Sequence, residues 1–408
     1  MTTDLPDQAD VIIIGAGPAG LAAAATLADL GVGHVVVLDR ETEAGGVPRH
    51  CSHSPYGLRE FRRLMNGPRY AKALARRAIS AGAAIHTGIN VTRLLPGPTL
   101  EVTSNSGPAT LNARAVLLAT GARETTRAER LIGGTKPQGV MSTGALQLIL
   151  ETGQTPFRRP VILGTELVAF SAILSCRLAG IRPTAMVEPN SRVTARWPTA
   201  LFPRMLGIPL MTNTIVSHVE GDERVNGIRL SNGETLQADG LIVTGRFQPD
   251  TPLLAGSAIQ RDPGTGGPEI DQYGRCTLAG YFAAGNLLRA VETAGWSWSE
   301  GRAIAHAIHA YLAGDLPPEM GEKIALSGPF SAHVPQRLAP ALKSQPVIGL
   351  DALQLRVGKP VNGKLDLLAK GAVVASKHLR TRPERRILLP LPGYGTEPHV
   401  QLRVKGDP

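Results

Sequence analysis

The strongest constraint on the fold is a glycine-rich turn over residues 15–20, with the sequence GAGPAG. It follows four β-branched residues at positions 11–14 and leads into a stretch rich in Ala and Leu that reaches Leu30. This order predicts a buried strand, a tight turn and a helix. A second apolar strand over residues 35–38 ends at Asp39, which completes the spacing of a βαβ dinucleotide-binding unit.

Each glycine of the turn has a physical role in this interpretation. Gly15 permits the tight turn, Gly17 lets the backbone approach a pyrophosphate, and Gly20 allows the helix to pack closely on the strand. The N-terminus of the helix attracts the phosphate charge. Asp39 is expected to accept hydrogen bonds from a ribose and to repel a 2′-phosphate, which argues against NADP at this first site. The alternative is that Asp39 is a plain turn residue.

The same pattern recurs further along the chain. Residues 161–164 predict a strand and turn, residues 167–178 a helix, and residues 185–187 a strand that ends before Glu188. Here Glu166 occupies the position of the middle glycine, so a carboxylate would lie where a pyrophosphate binds, and like-charge repulsion predicts weak or absent NAD(P)H binding. The alternative is that Glu166 points outward and the cofactor shifts to fit.

The doubled pattern predicts an α/β fold of two Rossmann-like three-layer dinucleotide-binding domains and a small C-terminal appendix. We expect a discontinuous first domain over residues 1–125 and 262–318, with a helix that begins near Ser299. A second, degenerate domain is expected over residues 155–250. Residues 328–408 are expected to be a basic, mixed or β-rich segment, since residues 334–408 contain 13 Lys and Arg but 5 Asp and Glu.

Composition excludes several functions. The formal net charge is +10, yet aromatic residues make up 4% of the chain and no nucleic-acid motif is present, so a protein partner is favoured over nucleic acid. The three cysteines form no CxxC pair, which excludes a dithiol redox centre and a four-thiolate metal or iron–sulfur site built from this chain alone. The apolar stretch at residues 11–30 is interrupted by glycines and Pro18. We therefore expect no transmembrane segment, and, because no leader pattern is evident, a cytoplasmic protein.

Each of three further features, a His/Cys loop, a tryptophan pair and a charged run, is open to two interpretations. His50, Cys51 and His53 cluster in one loop, but no fourth ligand is in view, so no metal site and no catalytic residue are assigned. This loop is either held by backbone hydrogen bonds or lies beside a cofactor. Trp296 and Trp298 either cap a cofactor or pack at an interface. The charged run at residues 382–386 is expected to be solvated or to face a partner.

The order of the motifs resembles the flavoproteins with two dinucleotide-binding domains that are related to glutathione and thioredoxin reductases. The resemblance covers Asp10 to Ala313 and includes Ala119-Thr120-Gly121 and Ala284-Gly285-Asn286. It implies that FAD occupies the first site and that the helix near Ser299 points its positive end at the flavin. Asn286 departs from the aspartate usual in the family, but its amide can still bond a hydroxyl. The implied cofactor-binding residues are Gly15, Gly17, Pro18, Ala19, Gly20, Asp39, Arg40, Gly46, Thr120, Gly121, Gly285 and Asn286.

A narrower resemblance rests on residues 46–50 and 58–61. This pattern is similar to the FAD-containing subunits of opine oxidases, hydrogen cyanide synthase and hydroxyproline or proline dehydrogenases. It implies a subunit that passes two electrons through flavin in a complex acting on an amine, an amino acid or a similar small substrate. The implied partner is a second flavoprotein subunit, with an iron–sulfur protein as a further candidate. Two alternatives remain open, a self-sufficient NAD(P)H-dependent flavin oxidoreductase and a non-catalytic flavin-binding scaffold.

Overall fold

The computed structural model describes residues 5–318, 320–340, 342, 348–369, 371–391 and 398–404. Its helices, in chain order, are α1 Pro18–Asp29, α2 Leu58–Phe61, α3 Gly67–Ala81, α4 Thr143–Glu151, α5 Leu167–Leu178, α6 Leu201–Met205 and α7 Ala294–Ala313. Among the helices of these described ranges, none is both long and apolar enough to cross a membrane.

The strands in the same ranges are β1 Gln8–Ile14, β2 Val35–Asp39, β3 Ala84–Thr87, β4 Asn90–Leu95, β5 Thr99–Ser104, β6 Gly107–Leu118, β7 Ala122–Arg123, β8 Gly133–Gly134, β9 Val140–Ser142, β10 Pro160–Leu163, β11 Ala185–Val187, β12 Leu210–Met211, β13 Val216–Glu220, β14 Gly227–Leu230, β15 Thr235–Gln237, β16 Gly240–Val243, β17 Gln248–Pro249, β18 Tyr281–Ala283, β19 Glu322–Lys323, β20 Ala325–Ser327, β21 Phe330–Val334, β22 Arg337–Leu338, β23 Ala352–Val357, β24 Val361–Ala369, β25 Ala372–Thr381, β26 Ile387–Pro390 and β27 Pro398–Val404.

The chain forms two compact units. The first contains the described parts of Met1–Gly46, Ala71–Ala122 and Pro249–Pro408, and the second contains Val47–Tyr70 and Arg123–Gln248. Residues 47–70 therefore group with the second unit, and the C-terminal strands group with the first. The domain boundaries expected from the sequence stay a prediction.

A seven-stranded sheet organises the first unit in the order β3-β2-β1-β6-β5-β4, with β18 pairing with β6. Strands β3, β2, β1, β6 and β18 are parallel, as the βαβ pattern predicts. β2, β18 and the C-terminal parts of β1 and β6 are apolar and buried, and α1 and α7 pack on this part of the sheet. This sheet brings the ends of β1, β2, β6 and β18 to one edge.

The C-terminal strands of the first unit form separate small sheets in the orders β20-β27-β24-β25 and β21-β23-β26. Alternate residues of β23 and β24 point inward and share a core that includes Leu353, Leu355, Leu365 and Leu367. This part of the chain is β-rich, in agreement with the expectation.

A second parallel sheet, in the order β12-β11-β10-β16-β9, lies at the centre of the second unit. Helix α5 follows β10 over the residues that the sequence indicates. One boundary differs in the first unit, because α7 begins at Ala294 and not near Ser299. Gly295 and Ser297 are poor helix formers, so propensity alone does not reveal this first turn.

Candidate functional site

The glycine turn between β1 and α1 has the geometry that its residues require. Gly15 has a φ of +108°, and a Cβ there would lie 2.5 Å from the carbonyl oxygen of Ala119. A Cβ on Gly20 would lie 1.9 Å from the carbonyl oxygen of Gly15. A Cβ on Gly17, in contrast, would meet no atom within 4 Å. The turn is thus closed on its protein side and open at Gly17, where Pro18 and Ala19 begin α1.

Asp39 ties the end of β2 to this turn. Its carboxylate accepts hydrogen bonds from the backbone N–H of Ala16 at 2.6 Å and of Glu41 at 2.9 Å. Burial raises the pKa of Asp39, and the two N–H groups act in the opposite direction. Each carboxylate oxygen keeps a second lone pair, so the group can still accept from a ribose hydroxyl.

Thr120 and Gly121 meet the returning chain at Asp250. The Thr120 hydroxyl donates to the carbonyl oxygen of Asp250 at 2.9 Å, and the Asp250 N–H donates to the carbonyl oxygen of Gly121 at 2.9 Å. The exposed Arg40 side chain reaches the Asp250 carboxylate at 3.2 Å. A Cβ on Gly46 would lie 2.9 Å from the Cα of Gly17. These predicted site residues therefore border the same edge of the sheet.

The turn after β18 approaches α1 as well. Gly285 has a φ of +75°, and a Cβ there would lie 2.8 Å from the Ala19 Cβ. Ser297, in the first turn of α7, is 5% exposed, and its buried Oγ has no hydrogen-bond partner among the described residues. The Asn286 side chain bonds the backbone of Glu292 in both directions. A loop clamp is thus the observed role of Asn286, in addition to the expected contact with a cofactor.

This arrangement fits FAD. The open space at Gly17, the N-terminus of α1 and the unsatisfied Ser297 hydroxyl are features that a bound pyrophosphate and ribityl chain would satisfy. The assignment of individual cofactor-binding residues stays a prediction.

The second glycine turn, after β10, contains a carboxylate side chain, that of Glu166. Glu166 precedes α5, and its two carboxylate oxygens lie 3.2 and 3.3 Å from the Arg246 backbone N–H. A Cβ on Gly245 would lie 2.2 Å from Glu166 Oε2. Burial raises the pKa of Glu166, while the Arg246 N–H and the nearby Arg130 lower it. The side chain thus turns inward, toward the loop that follows β16.

Chain segment 190–195 covers the same turn. The Thr194 N–H donates to the Thr165 hydroxyl at 2.9 Å, and the Ala195 N–H donates to the Thr165 carbonyl oxygen at 2.9 Å. Glu188, which is 2% exposed, accepts from the Thr165 hydroxyl and from the backbone and side chain of Asn190. The sequence alone does not reveal this cover, because helix α5 and strand β11 separate segment 190–195 from the turn that it contacts.

The loop with His50, Cys51 and His53 lies on α4 and α5 of the second unit. His50 bonds Glu151, His53 bonds Ser171, and the Cys51 thiol lies 3.3 Å from Gln147 Oε1. Burial raises the pKa of Cys51, so the thiol stays protonated at neutral pH and is a poor nucleophile. Within the described ranges, no group of three or more His, Cys, Asp and Glu side chains is placed to hold a metal ion.

The charged run at residues 382–386 departs from its expectation at Arg386. This side chain is 12% exposed, pairs with Glu292 at 3.2 Å and lies over the Trp296 ring at 4.0 Å. The interpretation of the whole run as solvated or partner-facing is therefore wrong for Arg386. Trp296, which is partly buried, packs against this guanidinium.

Comparison with known proteins gives a family. The model of the family "Pyridine nucleotide-disulphide oxidoreductase" matches residues 9–314. An opine oxidase subunit of Rhizobium meliloti (strain 1021) is 31% identical over 182 residues, which cover 44% of this chain and 38% of that protein. Thioredoxin reductase of Mycolicibacterium smegmatis is 27% identical over 301 residues, which cover 68% of this chain and 88% of that protein.

Two solved structures share the fold. Thioredoxin reductase of T. acidophilum has a TM-score of 0.62 at 21% identity and covers 75% of this chain and 99% of its own. L-proline dehydrogenase of P. horikoshii has a TM-score of 0.58 at 21% identity and covers 76% of this chain and 57% of its own. At these identities, the likeness concerns the two-domain nucleotide-binding fold alone.

Proposed function

Because the chain belongs to the pyridine nucleotide-disulphide oxidoreductase family and is an FAD-dependent oxidoreductase, we propose that it is one subunit of a dehydrogenase complex. The substrate of this complex is an amine, an amino acid or a similar small molecule. A second flavoprotein is the proposed partner, with an iron–sulfur protein as a further candidate. Membership of an enzyme family favours catalysis over a scaffold role.

The observation that carries this proposal is the state of the second nucleotide crevice. Glu166 places a carboxylate beside the N-terminus of α5, and Thr194 and Ala195 bond to Thr165 within the turn. Glu188, the acid that would receive a ribose, already accepts three hydrogen bonds. A dinucleotide there would meet like charge and would have to displace the chain's own contacts. Electrons therefore reach the flavin from a source other than NAD(P)H.

The matching opine oxidase protein supports the proposed complex, since its name joins a subunit role to an oxidase activity. The match covers less than half the length of that relative. The described residues offer no CxxC pair, and the three cysteines are buried and free, so the chain lacks the dithiol that disulfide reduction would need.

In the first unit, the residues around α1 would hold FAD. Gly17 and the helix N-terminus would receive the pyrophosphate, Asp39 the ribose, and Gly285 with Asn286 the ribityl region. Bound FAD supplies a two-electron acceptor. The chain's own residues would bind and orient it, and the close contacts of Gly15 and Gly20 leave the turn no room for a side chain there.

The test compares two preparations of the chain. One is tagged and purified under native conditions from cells that produce it naturally, and the other is produced alone. Each is assayed for dye reduction with a panel of amino acids and N-substituted amino acids, and with NADH and NADPH. We expect only the native preparation to respond, and only to a C–N substrate. Recovery of the lone chain from native cells, or turnover of NADH by the isolated chain, contradicts the proposal.

A further inference from the structure

The C-terminal strands hold the loop that leads from Gly285 to α7. Glu292, two residues before α7, forms two ion pairs with arginines on or next to the sheet β21-β23-β26, which we call the C-terminal sheet. Arg356 on β23 lies 3.2 Å from Glu292 Oε1, and Arg386, just before β26, lies 3.2 Å from Oε2. The Glu292 side chain is 9% exposed, so the carboxylate that both ion pairs share is buried.

The backbone of Glu292 in turn holds the Asn286 side chain by two hydrogen bonds. Its N–H donates to Asn286 Oδ1 at 2.7 Å, and its carbonyl oxygen accepts from Asn286 Nδ2 at 3.1 Å. An amide is needed for this pair of bonds, because a carboxylate has no donor for the carbonyl oxygen. The clamp therefore gives a physical reason for the asparagine that replaces the usual aspartate.

A second, deeper contact holds Gly285. Arg289 is 4% exposed and donates to the Gly285 carbonyl oxygen at 3.0 Å. The same guanidinium pairs with Glu300 on α7 and donates to Gln354 Oε1 on β23 at 2.8 Å. Gln354 in turn donates to Glu300 at 2.9 Å. A residue of the C-terminal sheet thus completes a buried network directly behind the glycine.

The start of α7 is fixed by the same sheet. The Arg386 guanidinium lies over the Trp296 ring at 4.0 Å, a distance typical of a cation–π contact. Trp296 adjoins Ser297, whose buried hydroxyl has no partner among the described residues. Arg386 therefore contacts both the end of the loop, at Glu292, and the first turn of the helix, at Trp296.

We propose that Glu292, Arg356 and Arg386 are positioning residues for the FAD site. The C-terminal sheet, which lies beyond the part of the chain that matches the family, sets the conformation of the loop that carries Gly285 and Asn286. This inference rests on the proposed FAD site of the first unit. It assigns residues outside the glycine motifs to cofactor binding.

The test uses Glu292→Gln, which keeps the side-chain length and the backbone bonds to Asn286 but removes both ion pairs. A double variant, Arg356→Ala with Arg386→Ala, removes the same pairs from the other side. Arg380→Ala removes an exposed arginine of β25 and is the matched control. Arg386→Lys keeps a cation at position 386 but removes the planar guanidinium that stacks on Trp296. The readouts are the Kd of the apoprotein for FAD, the midpoint potential of the bound flavin, and the melting temperature of the apoprotein.

We expect Glu292→Gln to weaken FAD binding by about tenfold and to shift the flavin potential, since charge-assisted hydrogen bonds that fix the loop are lost. The double variant should change the Kd and the potential in the same direction as Glu292→Gln. Arg386→Lys should change both by less than the double variant does, and Arg380→Ala should match the wild type. Wild-type Kd and potential in both Glu292→Gln and the double variant would overturn the inference. A fall in melting temperature with an unchanged Kd and potential would reduce these residues to a structural role and would also overturn it. Failure of the wild-type chain to bind FAD would instead refute the proposed site.

Discussion

Replacement of Glu166 by glycine should restore nucleotide binding to the second unit. The carboxylate lies against Gly245 and the Arg246 N–H, beside the N-terminus of α5. Glycine is the residue that a dinucleotide-binding turn uses here, because it lets the backbone approach the pyrophosphate. It is also tolerated as the residue that precedes a helix. The substitution therefore removes charge and bulk with little risk to the fold.

The repulsion between the Glu166 carboxylate and a nucleotide phosphate determines the size of the expected gain in affinity. Two unit charges 4 Å apart repel by about 1 kcal/mol in water and by about 4 kcal/mol at an effective dielectric constant of about 20. Glu166 is partly exposed, so we expect a value between these limits, about 1.5–3 kcal/mol. This corresponds to NADH binding about 10- to 150-fold tighter in Glu166→Gly than in the wild type. The contacts of Thr194 and Ala195 with Thr165 remain in the variant and limit the gain.

Titration calorimetry with NADH measures the effect directly. Glu166→Gln removes the charge but keeps the bulk beside Gly245, so its affinity should lie between those of the wild type and Glu166→Gly. Glu223→Gln, an exposed glutamate of the same unit, controls for net charge. Equal affinity of the wild type and both Glu166 variants would refute the argument that this carboxylate obstructs the crevice.

Burial raises the pKa of Glu166 above its ordinary value of 4.5, so residual NADH affinity should increase as the pH falls toward that raised value. A pH titration of binding should be flat in Glu166→Gln; an equal slope in both proteins would contradict the assignment. Asn286→Asp places a carboxylate against the Glu292 carbonyl oxygen and should weaken FAD binding by about tenfold, as measured by FAD fluorescence quenching; an unchanged Kd would argue against the clamp. Glu300→Gln leaves Arg289 buried without its counter-charge and should lower the unfolding free energy by about 3 kcal/mol, measured in urea; a loss below about 1 kcal/mol would show that Arg289 finds other compensation.

The sequence predicts the two nucleotide-binding units because their signals are local. β-Branched strands, glycine turns and apolar helices follow one another within short stretches, as at Gly15 and Gly164, and the structure has a parallel sheet at each place. The family match confirms the fold and the FAD cofactor. A single residue, Glu166, distinguishes the second turn from a standard dinucleotide-binding turn. This departure can be predicted from the sequence because Glu166 stands at the position of the middle glycine.

What the sequence does not predict are the contacts between distant segments. The pairing of Arg386 with Glu292, and of Arg289 with Glu300 and Gln354, joins the loop after Gly285 and α7 to the sheet β21-β23-β26. Charged residues in an apolar setting, such as Glu300 within α7, are the signal that could have indicated them, because a buried charge requires a partner. The partner itself cannot be chosen from spacing when many arginines are available.

We propose that electrons enter the flavin from a source other than NAD(P)H. The most direct measurement is an anaerobic stopped-flow experiment in which the purified protein with bound FAD is mixed with NADH or NADPH and the visible flavin band is followed. We predict that the flavin stays oxidised with either nucleotide but is reduced by dithionite. Fast and saturable bleaching by NADH or NADPH would contradict the account and would show that the chain is a self-sufficient NAD(P)H oxidoreductase.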